Sequence, residues 1–130
     1  MKRAYDAVLF DLLTALLDSW TLWNKVAGSD EAGLRWRAEY LKNTYATGRY
    51  RPYEDLVGEA AHNVGLPFER AEELGARYAE LDPWPEARDV LRTLHEAGVA
   101  LGPLERLDDG SQAGLRGAAR ERVHGRIDRI

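Results

Sequence analysis

The chain of 130 residues has no cysteine, so it can form neither a disulfide nor a cysteine–metal centre. No apolar run approaches the length of a membrane span. The Met-Lys-Arg start leads into Tyr5-Asp6 instead of the apolar stretch of a signal peptide, and a soluble cytoplasmic protein is the expectation. Charge of neither sign dominates: 18 Lys and Arg stand against 22 Asp and Glu, which gives no basis for nucleic-acid binding. The histidines, His62, His95 and His124, share no metal-ligand spacing and have no nearby nucleophile, so no metal is expected. Lysine is scarce, and none follows Lys42. The length allows at most one ordinary domain.

The stretch Ala7-Val8-Leu9-Phe10 is a short apolar run of strand formers, suited to a strand buried on both faces of a parallel sheet. Asp11 ends it. Open α/β sheets place their ligands at the carboxyl ends of strands, and Asp equally marks a turn after a core strand. From Asp18 the pattern becomes helical. Trp20 to Val26 forms one short segment, and Ser29-Asp30-Glu31 opens the next with a capping hydroxyl and early acids. That helix carries Leu34, Tyr40, Leu41 and Tyr45 and stops near Gly48. Tyr53, Leu56, Val57, Ala60, Ala61 and Val64 recur on one helical face, which Gly65 closes. A further helix from about Phe68 to Leu81 buries Ala71, Leu74 and Tyr78. The apolar stripes of these helices are expected to meet as a small bundle.

Asp82-Pro83-Trp84-Pro85 is a rigid connector, because each proline fixes its own φ and restrains its predecessor. Ala87, Val90, Leu91 and Leu94 then lay out an amphipathic helix, Gly98 ends it, and Val99-Ala100-Leu101 begins a second strand. The order is strand, helical insertion, connector, helix, strand. It predicts an α/β chain, predominantly helical, with a discontinuous core over residues 1–17 and 83–102 and a helical unit over 18–82. Residues 103–130 lack aromatics and any sustained apolar period, and read as an irregular tail.

Phe10-Asp11, then Leu16, then Asp18-Ser19 resembles the first motif of the haloacid dehalogenase-like hydrolase superfamily, with Thr14 and Ala15 where that motif has Gly-Thr. The later stretch Trp84-Pro85-Glu86-Ala87, Leu91, Leu94 and Gly98 is similar to the family's return from an inserted cap to a Rossmann-like core. Trp36-Arg37, Thr44-Tyr45 and Gly48-Arg49-Tyr50 resemble the cap of the L-2-haloacid dehalogenase branch. The resemblance implies a partial Rossmann-like core with a helical-bundle cap, a small organic acid as substrate, and Asp11 as the nucleophile. The implied chemistry is attack on C2 of a 2-haloacid, then hydrolysis of the aspartyl ester. Backbone N–H groups of Leu12 and Leu13 are the candidates for holding an oxygen anion.

Phosphatases of the family place an acid two residues after the nucleophile. Here that position is Leu13, which moves no proton, so dehalogenation is favoured and Mg2+ is expected only if the phosphatase alternative holds. Arg49, or Arg51, stands nearest the arginine by which the family's cap binds halide; a solvated surface position is the alternative. The family also needs a Ser/Thr-Asn motif after the second strand and a catalytic lysine beyond it, where this chain runs Gly102-Pro103-Leu104-Glu105. Read from the second base of the Gly102 codon, the code permits Val-Leu-Ser-Asn-Ala-Ser-Thr-Thr, close to that motif. The expectation is therefore a chain truncated or out of frame after about residue 101. Two other functions remain open: a non-catalytic remnant of such an enzyme, and a helical interaction module whose cap forms a homodimer.

Overall fold

A parallel pair of strands frames the molecule. The computed structural model describes residues 4–104, with side chains to residue 102. β1 (Ala7–Asp11) pairs with β2 (Ala100–Leu104), Ala7 opposite Ala100 and Asp11 opposite Leu104. A parallel pair needs a long crossover, and all the helices of the described chain supply it. β2 reaches Leu104, beyond the expected core boundary. The expected irregular tail from residue 105 onward, with His124 and the out-of-frame reading, lies outside the described residues.

After β1 comes one π-helical turn over Leu12–Leu16, closed by the Leu17 N–H donating to the Leu12 carbonyl at 3.0 Å. Then follow α1 (Ser19–Ala27), α2 (Asp30–Ala46), α3 (Tyr53–Asn63) and α4 (Glu69–Ala76). Neighbours pack in order and α4 returns against α1, so the four helices form a closed bundle. Asp18 and Ser29 cap α1 and α2, accepting from the N–H groups of Thr21 and Ala32. Gly28, at φ 95°, ends α1 in the left-handed conformation that a side chain would strain.

The bundle core is aromatic. Trp36 is fully buried, and its indole N–H donates to the Val57 carbonyl at 2.9 Å. Its ring lies 4.6 Å from that of Trp23, and the contacts continue through Tyr40 and Tyr53 to Tyr78. Val57, Ala60, Ala61 and Leu74 pack in the same core, and Leu56 is fully buried as well, as the helical periodicity predicts.

Three expectations change. The helix expected from Phe68 to Leu81 breaks after Ala76, and a short 3-10 turn over Tyr78–Glu80 leads to the connector. Arg77, at φ −97° and ψ 6°, has left the helical region, and this lets fully buried Leu81 turn toward the core. In α2 only Tyr40 of the four expected residues points inward; Gly33, Trp36 and Tyr40 make the packed face, while Leu34, Leu41 and Tyr45 are exposed. β1 is not buried on both faces: Val8 and Phe10 are half-buried, and Leu9, on the opposite face beside Gly102, is 63% exposed.

Chain entry into the bundle and exit from it run side by side. Leu17 bridges antiparallel to Pro83, the Asp18 N–H donates to the Asp82 carbonyl at 2.8 Å, and the Trp84 N–H donates to the Leu16 carbonyl at 3.0 Å. Fully buried Leu17 and Leu81 seal this crossing. α5 (Ala87–Glu96) then leads back to β2, packing on it with a shallow face: Leu91 and Leu94 are half-buried, and only Ala87 is fully so.

Candidate active site

The site is built on the turn after β1. Asp11 caps that turn with extended backbone, φ −61° and ψ 132°, so its carboxylate folds back over the first residues that follow. Oδ2 accepts from the Thr14 N–H at 3.0 Å and also from the Thr14 hydroxyl. Among the described residues no hydrogen bond holds Oδ1, and Asp11 is exposed. One oxygen is anchored and the other is presented to whatever enters. Leu12 is buried and Leu13 half-buried, so the turn is fixed to the core by its own side chains.

Leu12 and Leu13, expected through their backbones, open the turn, where N–H groups have no acceptor within it. The N–H that reaches the carboxylate is that of Thr14. Asp18, the second acid of the motif, is spent on α1: its carboxylate accepts from Thr21 N–H at 3.0 Å and Thr21 hydroxyl at 2.6 Å. Its role here is capping.

Trp84 adjoins the turn, and Trp20 and Arg37 follow it in a chain of contacts; the sequence singled out none of them as a site residue. The Trp84 indole N–H donates to the Thr14 carbonyl at 2.8 Å. Trp20, exposed at the start of α1, meets Trp84 edge to face with ring centres 6.2 Å apart. Arg37 lies 5.3 Å over the Trp20 ring, donating to the Trp20 carbonyl at 3.2 Å and to Asn24 Oδ1 at 2.7 Å. Burial lowers its pKa, while Asp18 and Asp30 oppose that shift. Asp11, Thr14, Trp84, Trp20 and Arg37 thus form one continuous run of contacts from the strand end into the bundle. The signal for Arg37 was its place beside Trp36 on the packed side of α2.

Arg49 lies elsewhere. It is exposed, beyond the end of α2, and no hydrogen bond or ion pair holds it among the described residues. It follows the left-handed Gly48, where the chain has left α2, whereas Arg37 lies in the middle of that helix. Arg51 is paired with Glu59.

The turn that follows Asp11 carries no second acid: its residues are Leu12, Leu13, Thr14, Ala15 and Leu16. No group of three or more His, Asp or Glu among the described residues could hold a metal ion. Nor is any helix of the described residues long and apolar enough to cross a membrane.

Adjacent parallel strands, a helical bundle inserted between them and an aspartate at the first strand's carboxyl end make a partial α/β fold, mostly helical. A solved crystal structure of a dehalogenase has this fold: it superposes with a TM-score of 0.69 at 24% identity, covering 99% of this chain and 61% of its own. The likeness is one of fold, and the chain spans about three fifths of that protein's length. No family model matches the chain, and no curated protein matches it.

Proposed function

We propose that the chain is a hydrolase of the haloacid dehalogenase-like kind, with Asp11 as nucleophile toward 2-haloacids. The observation that carries the reading is the Asp11 carboxylate, which stands at the end of β1 with Oδ2 tied to Thr14 and Oδ1 unbonded among the described residues, in a fold shared with a dehalogenase. Oδ1 attacks C2 of the acid opposite the carbon–halogen bond. That bond breaks, the halide leaves with its electron pair, and C2 inverts. Water then adds at the ester carbonyl; the 2-hydroxyacid departs, one proton is released, and the Asp11 carboxylate is restored.

Halide needs no proton to leave, so Leu13 in place of an acid supports dehalogenation over phosphate hydrolysis. The N–H groups of Leu12 and Leu13 are the proposed donors to the oxygen anion of the ester-cleavage step. For the substrate's negative charge we propose Arg37 before Arg49, its guanidinium standing over Trp20 at the far end of the run of contacts that starts at Asp11.

The test is halide release from 2-chloropropionate, with Asp11→Asn beside the natural chain. The variant is expected to lose at least about a thousandfold in kcat; equal release from both would sink the role of Asp11. Arg37→Lys is expected to raise KM about tenfold, since a point ammonium does not reproduce the guanidinium over Trp20. Arg49→Ala should stay within about twofold.

A second reading has its own observation. The lysines of the described chain, Lys25 and Lys42, sit on α1 and α2, and neither bonds Asp11. A non-catalytic remnant of such an enzyme fits this, and release of halide by neither chain would favour it.

A further inference from the structure

Trp20 stands in the first turn of α1 with 52% of its surface exposed, yet its ring is held on two sides. Trp84 meets it edge to face with ring centres 6.2 Å apart, and the half-buried Arg37 guanidinium lies 5.3 Å over it. Trp84 is itself fixed, its indole N–H donating to the Thr14 carbonyl at 2.8 Å. A singly exposed aromatic residue needs no explanation; one clamped between a fixed indole and a guanidinium, with the rest of its surface open, does. The way from the turn to Trp20 is apolar as well. Between Leu12 and Ser19 the chain carries one charged residue, Asp18, and its carboxylate is taken up by Thr21. In the run of contacts the step from Thr14 to Trp20 crosses an indole and no charged group.

We infer that Trp20 determines specificity: its open ring receives the side chain on C2 of the acid, and the preferred substrates are 2-haloacids with an extended apolar side chain, aliphatic or aromatic. The inference rests on the roles given to Asp11 and Arg37 above. A substrate with C2 at Asp11 Oδ1 and its carboxylate toward Arg37 has its side chain left to place, and the indole surface between those residues is what the run of contacts offers it. A methyl group is too short to cover a ring that stands beyond Trp84; a butyl or benzyl group spans that step. Covering the open part of the indole removes apolar surface of both partners from water, and little ordering opposes it because the ring is already fixed. Arg37 does not depend on the ring alone for its place, since it also donates to the Trp20 backbone carbonyl at 3.2 Å and to Asn24 Oδ1 at 2.7 Å. Loss of the ring therefore leaves the acid-binding charge in position.

Isothermal titration of the full chain with unreactive acids reads binding without turnover. The probes are acetate, propionate, hexanoate and 3-phenylpropionate, which differ only in the group on C2. Hexanoate and 3-phenylpropionate are expected to bind about tenfold more tightly than propionate. Trp20→Ala should cut that preference to about twofold, with acetate affinity held within about threefold, and Trp20→Phe should keep most of the preference. Equal binding across the series overturns the inference, and so does binding of none of the acids. A preference that survives Trp20→Ala overturns it too, as does loss of acetate binding in that variant, because the ring would then serve only to hold Arg37. The chemistry is judged separately by halide release. A preference that depends on Trp20, without halide release that depends on Asp11, upholds the side-chain subsite and sinks the nucleophile; the opposite pair of results does the reverse.

Discussion

Thr14 performs a task that a glycine in the same place would do only in part. Its backbone N–H caps the Asp11 carboxylate as any residue at that position could, and its hydroxyl adds a second donor to the same oxygen. Both bonds fall on Oδ2, so they orient the carboxylate while leaving Oδ1 its charge. Thr14→Val keeps the shape and the N–H and removes the hydroxyl. On an active chain it should lower kcat about tenfold, the worth of one hydrogen bond to a charged group, with KM within about twofold. Steady-state halide release measures both. Asp11 was legible because strand and acid are adjacent in sequence. Thr14 was not, since only the backward fold of the turn makes it a partner. Trp84 was readable as part of a rigid connector, but not as the residue whose indole N–H meets the Thr14 carbonyl, because that contact joins chain segments seventy residues apart.

At the scale of the element, the contact of α1 with α2 rests on Gly33. A Cβ there would meet the backbone Cα of Asn24 at 2.8 Å, which real side chains do not reach. Alanine is the better helix former by about 1 kcal/mol, but overpacking against backbone costs about 1–3 kcal/mol, and the neighbour cannot rotate away. Gly33→Ala should therefore lower stability by up to about 2 kcal/mol in chemical denaturation, and it should loosen the Arg37–Asn24 bond built on the same approach. Helix existence was readable from caps and periodicity: Ser29 before Asp30-Glu31, and Tyr53 through Val64 ahead of Gly65. Which side of α2 faces inward was not. Two apolar stripes compete on that helix, and the choice of the Trp36–Tyr40 side over the Leu34–Leu41 side was made by the partners Trp23 and Tyr53.

For the whole molecule, the return from bundle to core is where pH acts. Glu73 accepts from Arg70 at 2.8 Å and from Arg77 at 3.1 Å, and Glu80 accepts from Arg77 at 2.9 Å. These bonds hold both carboxyl groups below the ordinary 4.5; Glu39, bonded by Asn63 and Lys42, is lowered as well. A pKa lowered in the folded state contributes stability above the unfolded value and loses it as pH falls through the folded values. Melting temperature should therefore decline as pH drops below 4.5, and Glu73→Gln should flatten that decline. A scanning melt across acid pH checks both. In the alkaline direction, burial and Tyr53 push the Tyr78 hydroxyl well above 10, so its contribution is complete below 10 and is lost as pH rises beyond it.

The order of elements, the aspartate at the strand end, the capped helices and the proline connector were determined by the sequence alone, because each is a matter of neighbours within a few residues. Three things were decided only by the tertiary structure. The outward turn of Leu34, Leu41 and Tyr45 followed from which aromatic side chains were available across the bundle. The exposure of Leu9 followed from which layers cover β1. The run from Asp11 through Thr14, Trp84 and Trp20 to Arg37 exists because the Leu17–Pro83 crossing brings the end of the insertion back to its beginning. Local chemistry can specify a turn or a cap, but the meeting of residues far apart in the chain depends on the packing that closes the loop between them.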